Sequence, residues 1–377
     1  EANMSDATTI KSSSSINAVL KDIEVLRLLT YPIKSGFPIE TDSMTTTLSG
    51  PEYDRQLILI DSDKTKVSIK KEPKCFYVKC EFLPNKEKLF VQKQQVLFQV
   101  PTSGRNLSRE VMNKVEYKKI LLELDLEQIS QAGSMAMKDN SIKSGWEFMN
   151  DNSDDDSESK VTKYFPTSFQ IFSKYIRKGV ILENEELNSA IKEYFGADHR
   201  IVYCFKPVNL YDNIRNHKDL FKSFNTETAF AQYHDLAPYL IVQQEDIDEI
   251  NEVMKSNNCD SVEAVAFRPN IVIKGADKGL VEKACWLKIG DNLFRRVLNC
   301  GRCSAITLNY EKGTYNKNKE PLDSLSDYKF DDQLLNTTFG GYYVLESIED
   351  KQNSHIIKND NYEMKGLIKL GDRITMG

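Results

Sequence analysis

Asn299-Cys300-Gly301-Arg302-Cys303, read with Ala266-Phe267-Arg268-Pro269-Asn270-Ile271-Val272-Ile273-Lys274-Gly275 upstream of it, decides the fold. A Cys-x-x-Cys pair has three chemical readings. Structural zinc needs four ligands, normally with a second pair at compatible spacing. No second Cys-x-x-Cys exists, and His199, His217, His234 and His355 do not form a His-x-x-x-His. A dithiol redox motif usually opens a helix beside a βαβ unit. Here the flanks, Phe294 to Leu298 and Ala305 to Leu308, read as strands. In the third reading one thiolate binds a soft metal, and a neighbouring arginine supports an anionic cofactor with its forked donors. The surrounding segments favour the third.

The chain has 377 residues, enough for two ordinary domains. Hydrophobic residues make up 40% and charged residues 28%, with a formal net charge of −6. A nucleic-acid binder usually carries a basic excess or stripe, so no nucleic-acid partner is expected. No apolar run reaches the ~18 residues of a membrane span, so no transmembrane segment is expected. There is no signal-peptide pattern either. The chain begins at Glu1 rather than Met, which is compatible with removal of a targeting segment. The seven cysteines are odd in number and irregularly spaced, which favours reduced thiols inside the cell.

Along the chain, residues 1–15 are polar and Ser/Thr-rich and are expected to be disordered. Val67, Ile69, Cys75 to Phe82 and Leu89 to Val100 read as short strands. An acidic insertion at about 128–160, containing Asn150 to Ser159, reads as a solvated, disordered stretch. Its acids lack the spacing and glycine of a calcium loop. Two helices are expected: one through Leu187, Ala190, Ile191 and Phe195, capped by Asn184, and one through Ile247, Ile250 and Met254. Strand signals return at Asn270 to Lys274, Leu293 to Leu298, Ala305 to Leu308 and Gly341 to Leu345. A second polar insertion, about 347–364, precedes a last segment, Gly366 to Gly371.

Near the start stand Leu29-Thr30-Tyr31-Pro32-Ile33-Lys34-Ser35-Gly36 and Tyr53-Asp54-Arg55. Further on come Lys319 to Tyr328 and Phe339-Gly340-Gly341-Tyr342. In this order the segments resemble the MOSC family, and within it the mitochondrial amidoxime-reducing type. The matched blocks run from about Val25 to Gly371. The resemblance implies a β-rich α+β fold, with a MOSC N-terminal β-barrel domain over 16–200 and a cofactor-binding MOSC β-barrel domain with peripheral helices over 201–377.

It also implies a molybdenum cofactor of the molybdopterin type. Cys303 would be the molybdenum ligand, and Arg268 would contact the pterin. Lys34, Ser35 and Arg55 would hold its phosphate, with Asn270 and Arg302 as neighbours. Asp235 would be the candidate acid. The implied activity is reduction of N-hydroxylated small molecules, with electrons from cytochrome b5 and its NADH-dependent reductase. The implied location is intracellular, with the mitochondrion (outer membrane or matrix) as the compartment the resemblance suggests. The wider family also carries an association with pyridoxal phosphate.

Two departures stand out. After Lys-Ser the family has Cys, a basic residue and Gly, whereas this chain has Gly36-Phe37-Pro38. The family's Ser-Asp-x-Ser-Pro reads here as His234-Asp235-Leu236-Ala237-Pro238. Each lost hydrogen bond to a charged group is worth ~1.5–3 kcal/mol of cofactor affinity. His234 is read as a new functional group or as a hydrogen-bonded structural histidine. A second function class follows: a degenerate MOSC scaffold serving as a non-enzymatic binding or assembly subunit.

Overall fold

The computed structural model describes residues 22–84, 92–102, 115–138, 161–172, 175–210, 229–332, 334–348 and 365–377. The expectations for residues 1–15 and for Asn150 to Ser159 lie outside these. So does most of the polar insertion, though Ser347 and Ile348 continue a strand, Asn336–Ile348.

Alternation of apolar residues builds the largest sheet. Its order is Ile39–Thr41, Glu24–Thr30, Ile271–Lys274, Tyr239–Gln243, Asn336–Ile348, Asn292–Gly301, Trp286–Ile289 and Ile374–Met376, with Phe330–Asp331 on the side of the long strand. Tyr239–Gln243 and Ile271–Lys274 run parallel. The helix Gln244–Ser256 lies in the connection between them, as a parallel pair requires. The carboxy-terminal segment also returns to the strand Glu24–Thr30. There Val25 N donates to Asp372 O at 3.1 Å, Gly371 N to Val25 O at 2.9 Å and Ile374 N to Ile23 O at 2.8 Å.

Neighbouring residues on one strand face opposite sides. Leu28, Ile271, Ile273, Phe294, Tyr343 and Leu345 pack into one core. Leu29, Tyr31 and Val272 pack outward with Ile247, Ile250, Met254, Phe267 and Phe339.

The other half combines two smaller sheets. One orders Leu57–Asp61, His199–Tyr203, Tyr175–Glu183 and Lys163–Phe172. The other is the meander Lys79–Phe82, Lys93–Pro101 and Tyr117–Asp125. The helix Glu185–Phe195 closes over them. Asn184 Oδ1 accepts the Leu187 N–H at 3.0 Å, and Gly196 ends the helix in the left-handed region at φ 74°.

Four expectations are corrected. The irregular stretch does not begin at 128, because Leu126–Lys138 is a helix with Ile129, Ala132 and Ala136 buried on one face. Residues 75–77 are not strand: Pro73 sits in the first turn of a 3-10 helix, Pro73–Tyr77, and the strand starts at Lys79. Ser304–Thr307 is likewise a 3-10 turn, leaving only Leu308–Asn309 extended. Val67 and Ile69 lie outside the named strands. The first strand, Glu24–Thr30, lies in the large sheet between Ile39–Thr41 and Ile271–Lys274.

Asn270 locks the strand layout beside the future cavity. Its Oδ1 accepts the Leu240 N–H and its Nδ2 donates to Leu29 O, both at 3.2 Å, at 1% exposure. Truncating it leaves two buried backbone groups unpaired. Asn270→Ala is expected to lower the urea unfolding free energy by about 1–3 kcal/mol with an unchanged m-value. A loss well under ~0.5 kcal/mol would show that neither bond matters.

Candidate functional site

A single cleft is lined by Lys34, Ser35 and Arg55 from one half and by Asp235, Arg268, Asn270, Arg302 and Cys303 from the other. All eight side chains expected from the sequence therefore border one space. His234, Ala237, Cys300 and Tyr342 line it as well.

Backbone geometry aims three of them. Ser35 (φ 70°), Arg55 (φ 49°) and Arg268 (φ 56°) all occupy the left-handed region, which non-glycine residues rarely adopt. Arg268 ends the short helix Ala264–Phe267 there. Arg55 is held by Arg55 N to Tyr31 O at 2.8 Å, just before the strand Leu57–Asp61. Lys34 N donates to Leu57 O at 2.7 Å, which fixes the start of the Lys34-Ser35-Gly36 turn. At Gly36 an added Cβ would lie 3.0 Å from both Ile33 Cβ and Val78 O. This turn is thus packed around a glycine where the family has a cysteine.

One buried carboxylate organises the cations. Asp54 is fully buried. Its Oδ1 accepts the Tyr31 N–H at 2.7 Å, and its Oδ2 accepts from Arg55 Nη1 and, at 2.9 Å, from His234 Nε2. His234 Nδ1 accepts the Gln232 N–H at 3.2 Å, so the ring proton sits on Nε2 and the imidazole is neutral. Burial opposes ionisation of Asp54, but the Arg55 charge and the His234 hydrogen bond outweigh it and hold the carboxyl below its usual range. Burial holds His234 below its usual range against the pull of Asp54. The structural reading of His234 is the one its contacts match.

The remaining groups differ in how much they have left to offer. Lys34 Nζ donates to Tyr233 O at 2.6 Å and Asp235 Oδ1 at 2.8 Å. The Asp235 side chain is 64% exposed and also faces Lys66 Nζ at 4.0 Å. It stands at the solvent side, where an incoming anion can compete for Lys34. Arg302 donates Nε to Phe339 O at 3.0 Å and Nη1 to Phe267 O at 2.9 Å, with Nη2 also on Phe339 O. Like Asn270, it is committed to backbone carbonyls and braces the wall. Arg268 is different: Nη1 donates to Gly36 O at 3.0 Å, while Nη2 is buried with no hydrogen-bond partner. An orphaned guanidinium amine at a cleft wall suits an anionic or carbonyl-bearing ligand.

The Cys303 thiol is free, partly exposed and directed to the same space. Cys300 is buried, and burial pushes its thiol up. The two cysteines of the motif are thus physically unlike, and only Cys303 has the exposure a ligand needs. Two members of the cluster, Tyr31 and Asp54, were not singled out from sequence. Their signal was adjacency: Asp54 precedes Arg55, and Tyr31 opens the Tyr-Pro-Ile-Lys-Ser run.

Two outcomes follow from this geometry. Ser35→Gly relieves a left-handed side chain and is expected to raise stability by up to about 1 kcal/mol in urea unfolding; a decrease would mean the hydroxyl supports the fold. His234 is neutral in the folded chain but takes a proton when unfolded, so stability falls as pH drops below about 6.5. Loss of the Asp54 charge adds to the fall at lower pH. The urea midpoint is expected to drop between about pH 7.5 and about pH 5.5, and to drop less in His234→Gln. Parallel curves for the two proteins would contradict the assignment.

The sequence matches the MOSC N-terminal beta barrel domain over residues 23–133 and the MOSC domain over residues 231–375. Human mitochondrial amidoxime-reducing component 1 is 34% identical over 121 residues, covering 30% of this chain and 34% of that protein. The mouse protein of the same name is 30% identical over 141 residues, covering 35% and 39%. The molybdenum cofactor sulfurase of Arabidopsis thaliana is 32% identical over 99 residues, covering 25% and 12%. The matches span little more than a third of the length of the first two relatives and a smaller part of the third. The chain belongs to the MOSC-domain family, with a MOSC N-terminal beta barrel domain followed by a MOSC domain.

Proposed function

We propose that the chain holds a molybdenum cofactor in this cleft and reduces N-hydroxylated small molecules with electrons from a cytochrome b5 system, at the mitochondrion. The observation that carries the proposal is the unpaired Arg268 Nη2 in a cleft that also brings Lys34, Ser35, Arg55 and Cys303 together. Relatives named as amidoxime-reducing components and as molybdenum cofactor sulfurases support the same cofactor class. Among the described residues no three His, Cys, Asp or Glu side chains cluster to hold a metal ion. A metal here would therefore arrive on an organic cofactor, with the protein adding one thiolate.

The donor set fits such a group. Lys34 supplies a point charge, Ser35 a hydroxyl and Arg55 a second charge, though its Nη1 already meets Asp54 and its Nη2 donates to Arg268 O at 3.3 Å; together they suit a phosphate. The unpaired Arg268 Nη2 would take an acceptor of the pterin, and Cys303 Sγ would offer a soft anionic ligand. Asn270 and Arg302 hold the walls those groups stand on. When bound, the cofactor supplies the redox chemistry that removes oxygen from nitrogen. Asp235, exposed and paired with Lys34, is the side chain available to hold or relay a proton at its carboxylate oxygens on the substrate side. A pyridoxal phosphate association rests on the wider family alone and enters no step.

The non-catalytic scaffold is the second reading. It is favoured by the internal partners of Lys34, Arg55, Asn270 and Arg302 and by the hydroxyls replaced at His234 and Ala237. Metal analysis separates the two. Protein purified from a cofactor-producing host is expected to carry near-stoichiometric molybdenum, with at least a ~10-fold loss in Cys303→Ala. Equally negligible molybdenum in both proteins would leave the scaffold reading.

A further inference from the structure

We propose that Tyr31 is a positioning residue of this clamp: its ring holds the guanidiniums of Arg55 and Arg268 as a fixed pair and thereby sets the affinity for a phosphorylated anion. The proposal rests on the cofactor-binding reading above.

Tyr31 is fully buried and does not itself line the cleft. Arg55 Cζ lies 4.5 Å and Arg268 Cζ 4.3 Å from its ring centroid, well inside cation–π range. Two like charges share one aromatic ring. Burial lowers the Arg268 pKa, and the neighbouring Arg55 charge lowers it further. A second carboxylate could relieve that repulsion, but it would cancel the charge an anion needs. The π cloud of a ring offsets it without cancelling the Arg268 charge. Asp54 already pairs with Arg55. Arg268 has no carboxylate partner among the described residues, and the Tyr31 ring stands in that place.

The backbone of Tyr31 belongs to the same device. Its N–H donates to Asp54 Oδ1 at 2.7 Å, and its carbonyl accepts from Arg55 N at 2.8 Å. Ring position and Arg55 position are thus set by the backbone of one residue. The hydroxyl gives no reason for an aromatic residue here, because it is buried without a hydrogen-bond partner. The ring gives one.

The test uses the full chain, free of cofactor, with inorganic phosphate as the probe in titration calorimetry at low ionic strength. Lys34→Met serves as the control that locates binding in the cleft. Tyr31→Phe is expected to keep phosphate affinity within about two-fold, and Tyr31→Leu to weaken it about ten-fold. Replacing Tyr31 with mono-, di- and trifluorinated phenylalanines keeps the shape and drains the ring face of negative charge. Affinity is expected to fall stepwise along that series while the urea midpoint stays level. A merely structural ring would leave phosphate affinity flat across the series, which overturns the proposal. So does wild-type affinity in Tyr31→Leu. If the wild type binds no phosphate that Lys34→Met abolishes, the clamp reading fails first and this inference falls with it.

Discussion

Asp54 carries the constraint on which the site depends. It is a fully buried carboxylate beside the Leu57–Asp61 strand, and it accepts hydrogen bonds from Tyr31, Arg55 and His234. Those partners come from the first strand's end, the following turn and the segment before Tyr239–Gln243. A buried ion with three donors is worth keeping only where geometry matters, because removing one partner leaves a charge in low dielectric. The arrangement ties the two halves at the cleft and decides where Arg55 points. Through the Tyr31 ring it also reaches Arg268.

The strained residues tell the same story from the backbone side. Ser35, Arg55 and Arg268 sit in the left-handed region, where each costs on the order of 1 kcal/mol or more. Glycine would be easier at each position. All three side chains border the cleft. By contrast Arg302 and Asn270 satisfy the backbone of Phe267, Phe339, Leu29 and Leu240, and their contribution is rigidity. A second charged group supports the same wall. Lys329 Nζ meets Glu282 at 2.8 Å and Asp246 at 3.6 Å, and Glu282 accepts the Gly340 N–H at 2.9 Å. Burial pushes the Asp246 carboxyl up to about 6.

Much of the site was legible in the residues, because a family resemblance ties residue types to an order along the chain. Lys34, Ser35, Arg55, Arg268 and Cys303 lie far apart in sequence, and all border one space. The helices through Leu187 and Ile247 were legible from periodicity and, for the first, from its Asn184 cap. Partner choice was not legible. Nothing in the order of residues says that Arg302 turns all its bonded donors to carbonyls while Arg268 keeps one unbound. The helix Leu126–Lys138 was hidden by its Ser, Gln and Gly content, and its buried face emerges only against the sheets it covers. The first strand's membership in the large sheet is a long-range pairing, Glu24 with Lys274, that local pattern cannot express.

The most direct measurement is a crystal structure of the chain purified from cofactor-producing cells. The account predicts molybdenum bonded to Cys303 Sγ, a phosphate gripped by Lys34, Ser35 and Arg55, and a cofactor atom on Arg268 Nη2. A cleft holding only water, with the Cys303 thiol turned away and Arg268 Nη2 hydrated, would contradict it.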